Sequence, residues 1–184
     1  MHPSPPVLET ERLLLRVPEE GDFDAWAAFM ADPDAARFVG GVMSRAAAWR
    51  GMAAVVGCWT LRGHGFFTVI DKATGRWAGR VGPWQPEGWP GPEVGWSIAP
   101  EFQRRGYARE ASVAAIDFAF DSLGWTEVVH CIDPENVPSI GLAERLGSRR
   151  LRGGVELPPY DMKVDLYGQS RDDWKTNRAL AAAR

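Results

Sequence analysis

A strand that runs through a short turn directly into a helix narrows the choice of fold for this sequence. Glu93 to Ala99 predicts the strand, and Arg105 to Leu123 predicts the helix, because small and apolar side chains recur there at three- and four-residue spacing. Gly106 leaves the mouth of this helix without a side chain. The free backbone N–H groups of the first helical turn, together with the helix dipole, therefore predict an anion site.

Basic side chains around this turn indicate the kind of anion. Arg104, Arg105 and Arg109 add positive charge, so we expect a phosphate or pyrophosphate. The turn has neither the Gly-Lys-Ser/Thr of a Walker loop nor the three spaced glycines of a dinucleotide fingerprint, which argues against ATP and NAD. The residues alone leave open a plain strand-to-helix turn whose arginines are solvated.

The rest of the chain predicts an α/β architecture. Strands are expected over residues 10–17, 65–71, 76–83, 128–132, 149–151 and 162–168, and helices after the caps Asp22, Ser44 and Asn136 and over residues 171–183. The expected order is β-α-α-β-β-β-α-β-α-β-β-α. With 184 residues we expect one domain over 1–184, in which residues 1–8 form a flexible lead-in.

Composition excludes several functional classes. The net charge of −3 argues against a nucleic-acid partner, which usually requires a basic face. Neither a membrane-length apolar run nor a signal peptide is apparent, so we expect a cytoplasmic protein that does not contact membranes. Cys58 and Cys131 are expected to be buried free thiols, and because no cysteine or histidine spacing suits a metal, we assign none.

Two motifs resemble a known superfamily. Gln103-Arg-Arg-Gly-Tyr-Ala108 resembles the Gln/Arg-x-x-Gly-x-Gly/Ala acyl-CoA motif of the GNAT acetyltransferases, and Asn136-Val-Pro-Ser139 with Ala143-Glu-Arg-Leu-Gly147 is similar to the second cofactor-binding segment of the RimJ/RimL branch. The resemblance is strong over 93–147, weaker at 10–16 and 167–174, and limited to layout at 40–92. It implies a GNAT-like acyl-CoA N-acyltransferase fold, with a central mixed, mostly antiparallel sheet flanked by helices.

The resemblance also implies a site for acetyl-CoA without a metal. In the family the turn holds the CoA pyrophosphate through backbone N–H groups, which assigns this role to Gln103, Arg104, Arg105, Gly106, Tyr107, Ala108 and Arg109. The preceding strand pairs with the pantetheine arm where it splays from strand 128–132, which implicates the backbone of Trp96, Ser97 and Ile98. The side chains of Asn136 and Ser139 resemble those that contact the pantetheine and the thiol end.

The implied reaction is direct transfer of an acetyl group to a primary amine in a ternary complex (EC 2.3.1.-). Glu93 is the candidate base because it begins the cofactor-binding strand beside a Trp-rich loop, where partial burial would raise its pKa. Glu156 and Asp161 are rival bases. Many members carry a tyrosine that protonates the leaving thiolate at the position where this chain has Ala143. Ser139 is therefore the candidate general acid here, and Tyr160 is an alternative.

The acceptor is expected to be a small-molecule amine or a protein N-terminus that enters beside residues 85–92. Trp84, Glu87 and Trp89 suit a cationic amine there. One alternative is a catalytically inactive acyl-CoA-binding module, favoured by the missing tyrosine at position 143. Another is an unrelated α/β enzyme with a different phosphorylated cofactor. Because dimers are common in the RimJ/RimL branch, a homodimer is expected by analogy.

Overall fold

The computed structural model describes residues 5–158, 160 and 162–182. Residues 1–4 of the expected lead-in, and residue 183 at the expected end of the last helix, lie outside the described residues. The strands are β1 (Leu8–Glu9), β2 (Leu13–Arg16), β3 (Phe67–Asp71), β4 (Trp77–Trp84), β5 (Glu93–Ile98), β6 (Glu127–Ile132), β7 (Arg149–Glu156) and β8 (Lys163–Ser170). The helices are α1 (Phe23–Ala31), α2 (Pro33–Ala36), α3 (Arg45–Arg62), α4 (Tyr107–Asp121), α5 (Val137–Arg145) and α6 (Arg171–Ala182).

The strands form one sheet in the order β1-β2-β3-β4-β5-β6-β8-β7. Every neighbouring pair is antiparallel except β5 and β6, which run parallel. Helix α4 packs on β4 and β5, whereas α5 and α6 pack near β8. The predicted mixed, mostly antiparallel sheet flanked by helices is therefore confirmed. No helix in the described part of the chain has the length and apolarity that crossing a membrane requires.

The two parallel strands separate soon after they meet. In the described residues β5 and β6 pair at one position, Glu93 opposite Val129, whereas β4 pairs with β5 at six positions. Backbone groups that face such a gap need other hydrogen-bond partners. The divergence lies at the centre of the sheet and widens from Glu93 towards the end of β5 that leads into α4, between the two strands whose splaying the family resemblance implies.

Side chains on the two faces of the sheet pack against different helices. Phe67 meets Phe118 of α4, with ring centroids 5.4 Å apart. On the opposite face, Trp77 meets Trp26 of α1 at 6.5 Å. An irregularity in the β3–β4 register puts Trp77 and Arg80 on the same face, so Arg80 also points towards α1.

Capping side chains explain where two helices begin. The hydroxyl of Ser44 accepts a hydrogen bond from the backbone N–H of Ala47 at the start of α3. The side chain of Asn136 accepts one from the N–H of Ser139 at the start of α5. Helix α4 differs, because its N-cap is Gly106, which has a left-handed φ of 81° and no side chain to bond the first turn.

Several local predictions are wrong. The side chain of Asp22 makes no capping hydrogen bond to α1, because its buried carboxylate instead accepts two hydrogen bonds of 2.8 Å from the guanidinium of Arg16 and one from the backbone N–H of Glu19. Of the expected strand at 10–17 only β2 (Leu13–Arg16) forms, and β1 (Leu8–Glu9) precedes the expected range. The short helix α2 was not predicted. β7 extends to residue 156 rather than 151, since it pairs with β8 along its length through register irregularities.

Candidate active site

A cleft of about 170 Å³ opens where β5 and β6 diverge. It is bounded by α1, α3, the segment 38–43 and the Trp-rich loop that precedes β5. The structure brings together, among its lining residues, the following predicted site residues: Trp84, Trp89, Glu93, Trp96, Ser97, Asn136, Ser139 and Tyr160. Residues from β5, β6 and α5 thus meet in one cleft, although they are distant in sequence.

Glu93 lies at the point of divergence and is buried. Its Oε2 accepts a 2.6 Å hydrogen bond from the indole N–H of Trp89, and its Oε1 accepts a 3.1 Å bond from the backbone N–H of Cys131. Burial raises the pKa of Glu93 from 4.5 to about 7, because removal from water disfavours the carboxylate more than these bonds favour it. A carboxyl group with this pKa exchanges a proton near neutral pH.

Ser139 reaches the cleft from the first turn of α5. Its Oγ accepts a 3.2 Å hydrogen bond from the indole N–H of Trp96, a residue of β5. Because that bond uses an oxygen lone pair, the hydroxyl proton of Ser139 stays available to a group in the cleft. Asn136, one turn earlier, also lines the cleft and holds the N–H of Ser139.

His130 supports this arrangement from within the sheet. The ring is buried, and its Nδ1 donates a 2.7 Å hydrogen bond to the carbonyl of Val94. Its Nε2 therefore accepts from the hydroxyl of Ser148, at 3.0 Å. Burial lowers the pKa of His130 to about 4, so the ring is neutral at neutral pH. It lies 4.7 Å from the ring of Trp96, between centroids, and helps to fix that indole.

The predicted anion-binding turn has an open backbone. In the described residues no carbonyl outside the helix accepts from the N–H groups of Tyr107, Ala108 or Arg109, and a Cβ on Gly106 would approach only one end of a flexible side chain. The structure thus fits an anion held by backbone N–H groups. Arg104 has a φ of 59°, a conformation uncommon outside glycine, and this sharpens the turn.

Not every side chain of this turn faces solvent. Gln103 donates a 3.0 Å hydrogen bond to the carbonyl of Ile98, which ties the turn to the end of β5. Tyr107 is buried, and its hydroxyl donates to Asp71 at 2.7 Å, so its side chain belongs to the core and only its N–H is free.

Arg12 joins this turn from the N-terminal strand region, which the sequence did not indicate. Its Nη1 donates a 2.8 Å hydrogen bond to the carbonyl of Arg105, and its Nη2 lies 2.6 Å from the carboxylate of Glu110. The same guanidinium is the group nearest to the position that a Cβ on Gly106 would occupy. Arg12 therefore braces the turn and adds positive charge beside it.

Other predicted residues lie away from the cleft. Glu87 is exposed and forms a 3.1 Å ion pair with Arg62, so it is not among the lining residues. Glu156 is exposed on β7 and also outside the lining. Asp161 lies outside the described residues.

The two cysteine thiols lie in different parts of the fold, Cys58 on α3 and Cys131 on β6. The expectation of two buried thiols is wrong, since Cys58 and Cys131 are only partly buried. Cys131 lines the cleft beside Glu93, and burial raises the pKa of its thiol. Within residues 5–158, 160 and 162–182, no three His, Cys, Asp or Glu side chains cluster as metal ligands would.

Arg80 is the most notable lining residue that sequence reasoning missed. It lies on β4, and its guanidinium carbon is 4.8 Å from the ring centroid of Trp26 and 4.9 Å from that of Phe66. The only local signal is a cationic residue inside an otherwise apolar central strand. The side chains that surround it come from distant parts of the sequence, so the pattern does not reveal the contact.

Comparison with known proteins gives consistent matches. Residues 12–149 match the family model of the acetyltransferase (GNAT) domain. The chain is 30% identical to the YkkB protein of Bacillus subtilis over 76% of this chain and 83% of that protein. An acetyltransferase structure from Agrobacterium tumefaciens aligns with a TM-score of 0.82 and 32% identity, covering 93% of this chain and 98% of that one. A GNAT-family acetyltransferase from Bordetella pertussis aligns with a TM-score of 0.75 and 30% identity, covering 90% and 99%.

Proposed function

Because this chain belongs to the GNAT acetyltransferase family, we propose that it transfers an acetyl group from acetyl-CoA to a primary amine by direct attack in a ternary complex. The acceptor is a small-molecule amine or a protein N-terminus. The observation that carries the proposal is Glu93, a buried carboxyl group with a pKa of about 7 that lines the cleft where β5 and β6 separate. Its pKa suits a general base at neutral pH.

Two parts of the chain would hold acetyl-CoA. The open N–H groups at the start of α4, with Gly106 and the arginines around it, would hold the pyrophosphate. The backbone of Trp96, Ser97 and Ile98 on β5 would pair with the pantetheine arm beside the gap, and Asn136, which lines the cleft, would contact the same arm. Acetyl-CoA supplies a thioester, whose acyl carbon is open to attack by a neutral amine.

Glu93 would take the proton that the amine gives up. Trp89 and the backbone of Cys131 each hold one carboxylate oxygen, which fixes the orientation of the base. The pKa of about 7 leaves a large fraction ionised at neutral pH, and the protonated form is also stable enough to release its proton to solvent afterwards.

Ser139 would serve the leaving thiolate. Its hydroxyl is oriented by Trp96 and has a proton to donate into the cleft. This role replaces that of the tyrosine for which this chain has Ala143, a buried residue without a polar group. The Asn136–Ser139 and Ala143–Gly147 segments on and after α5 support the RimJ/RimL-like branch as the proposed subgroup.

Aromatic side chains would form the acceptor side of the cleft. Trp84 and Trp89 lie edge to face with centroids 6.3 Å apart, and Tyr160 stands 6.4 Å from Trp89. These rings offer apolar surface that excludes water from the amine and from Glu93. Glu87 is not part of this proposal, because it pairs with Arg62 outside the cleft.

Release of free thiol from acetyl-CoA, measured with a panel of amines, tests the proposal. The panel should contain N-terminal peptides, polyamines, amino acids and aminoglycosides, and mass spectrometry should identify the acetylated product. We expect turnover with at least one class and little turnover in Glu93→Gln. Tight CoA binding without turnover on any amine would instead support an inactive binding module, and absence of CoA binding would contradict both functions.

A further inference from the structure

Arg80 is a cationic side chain in the cleft that has no anionic partner among the residues that the structure describes. Its Nε is buried without a hydrogen-bond partner, and within the described residues the guanidinium forms no ion pair. Glu93 influences it only as a charge at longer range. Arg80 lines the cleft, and no described residue accepts a hydrogen bond from its terminal N–H groups, so these groups can donate to a ligand that enters there.

The rings around Arg80 do not replace such a partner. Trp26 and Phe66 hold the guanidinium at cation–π distance, 4.8 and 4.9 Å from their centroids. A ring over the face of a guanidinium stabilises its charge. The N–H groups of the guanidinium point outward in its own plane, so such a ring does not accept their hydrogen bonds. The two rings instead fix its orientation, which lowers the entropic cost when a planar anion binds it. A carboxylate matches this planar fork with two parallel hydrogen bonds.

The second charged group in the cleft points to the same class of ligand. Glu93, on β5, is the proposed acceptor of the proton that the amine loses. Arg80 lies on the neighbouring strand β4, where it pairs with Ser97 of β5. The cleft thus presents a carboxyl group and a guanidinium within one small volume of about 170 Å³. A ligand that carries an amine and a carboxylate complements both.

We propose that Arg80 is the specificity-determining residue of the acceptor site and that the acceptor is a small amine bearing a carboxylate. This inference rests on the amine acetylation proposed above and names its substrate class. It narrows the sequence-based expectation of a cationic amine, for which Trp84, Glu87 and Trp89 were the supporting residues. Arg80 binds the carboxylate, the aromatic rings cover the carbon chain, and the amine reaches Glu93.

The first test measures binding alone. Acetate, butyrate and benzoate are titrated against the protein saturated with CoA, and each is compared with its neutral amide by calorimetry. We expect the acids to bind about ten- to a hundredfold more tightly than the amides, the usual gain from a charge-assisted pair. Arg80→Met should abolish this preference, whereas Arg80→Lys should keep part of it and remains informative if the methionine variant folds poorly.

Arg178→Met is the matched control. Arg178 also places its guanidinium over an indole, that of Trp174 at 5.7 Å, but it lies on α6 and pairs with Asp117 outside the cleft. The control should retain the wild-type preference for acids. Equal affinity for acids and amides in the wild type, absence of acid binding, or an unchanged preference in Arg80→Met would each overturn the proposal.

The second test uses turnover. Linear amino acids and their carboxamides are compared as acceptors, with kcat/KM corrected for the fraction of neutral amine. We expect the acids to be preferred and the preference to vanish in Arg80→Met. Acetylation of neutral amines or peptide N-termini without such a preference would overturn the role of Arg80 while leaving the proposed function intact. Failure to acetylate any amine would contradict the proposed function, and the binding test would still decide about Arg80.

Discussion

The indole N–H of Trp89 donates a 2.6 Å hydrogen bond to Oε2 of Glu93. This contact joins a loop rich in proline and glycine to the first residue of β5. Since the other carboxylate oxygen accepts from the backbone N–H of Cys131, the carboxyl group spans the gap between β5 and β6. The separation of β5 and β6, which opens the cleft, therefore also places the hydrogen-bond donors that hold the proposed base.

Replacement of Glu93 by glutamine should remove the ionisation that controls the rate. In the wild type we expect kcat/KM to rise with pH through about 7, because Glu93 must be ionised to accept a proton. Glu93→Gln should lower the rate by about a hundredfold or more and remove that limb of the profile. The check is a pH–rate profile corrected for ionisation of the amine. An unaffected limb near pH 7 would exclude Glu93 as the base.

Trp89→Phe should shift the same profile rather than abolish it. The hydrogen bond from Trp89 favours the ionised carboxylate, so its loss should raise the pKa of Glu93 further. The midpoint of the limb should then move to higher pH, while the rate at high pH changes less. Trp125→Phe is a suitable control, because Trp125 packs on His64 and is not among the residues that line the cleft. A downward shift of the midpoint in Trp89→Phe would contradict this assignment.

Glu93 and His130 should make opposite contributions to stability as pH changes. The pKa of Glu93 is raised by folding from 4.5 to about 7, so the native state holds its proton longer and this term lowers stability as pH rises through that window. The pKa of His130 is lowered by folding from 6.5 to about 4, so this term raises stability over its own window. Between pH 4.5 and 6.5 the two terms largely cancel.

Glu93→Gln should expose the contribution of His130. Relative to the wild type, the gain in unfolding free energy from pH 4.5 to 6.5 should be larger by roughly 2 kcal/mol. Urea unfolding at pH 4.5 and pH 6.5 gives the change in unfolding free energy for each protein. Because only these changes are compared, any pH-independent effect of the substitution on stability cancels. The same pH dependence in both proteins would show that the Glu93 carboxyl group titrates normally.

How much of the site follows from the sequence depends on how local each contact is. The strand, the turn and helix α4 could be predicted because the apolar spacing and Gly106 act within one short segment. Glu93 could be placed beside the Trp-rich loop for the same reason. Asp22 shows the limit, since capping rules consider neighbours in the first helical turn, whereas its carboxylate is bound by Arg16 from the preceding strand.

Contacts between distant segments were beyond sequence reasoning. Arg80 lies against Trp26 and Phe66, which come from a distant helix and from the residue before β3, and a register irregularity brings Trp77 to the same face. Arg12 reaches the carbonyl of Arg105 across more than ninety residues of chain. Such contacts depend on strand register and helix placement, which a single sequence does not specify.

Ser139→Ala should separate chemistry from cofactor binding. The hydroxyl of Ser139 accepts from Trp96 and has its own proton free, so its loss removes a donor for the leaving thiolate. We expect kcat to fall about ten- to a hundredfold while the affinity for acetyl-CoA changes by less than about threefold. Trp96→Phe, which keeps the hydroxyl but removes its orienting bond, should have a smaller effect on kcat. Equal rates for Ser139→Ala and the wild type would remove Ser139 from the mechanism.

Gly106→Trp should abolish CoA binding by filling the space over the open N–H groups of α4. Gly106 has a φ of 81°, so any side chain there also strains the backbone by about 1 kcal/mol. Gly63→Ala introduces the same kind of strain, at a φ of 72° and with nothing within 4 Å, far from this turn in sequence. We therefore expect a similar loss of stability in Gly63→Ala without any loss of CoA affinity, whereas Gly106→Trp should lose at least a hundredfold in affinity, about 3 kcal/mol. Calorimetric titration with CoA, with thermal unfolding in parallel, distinguishes the two effects, and unaltered affinity in Gly106→Trp would refute the placement of the pyrophosphate at this turn.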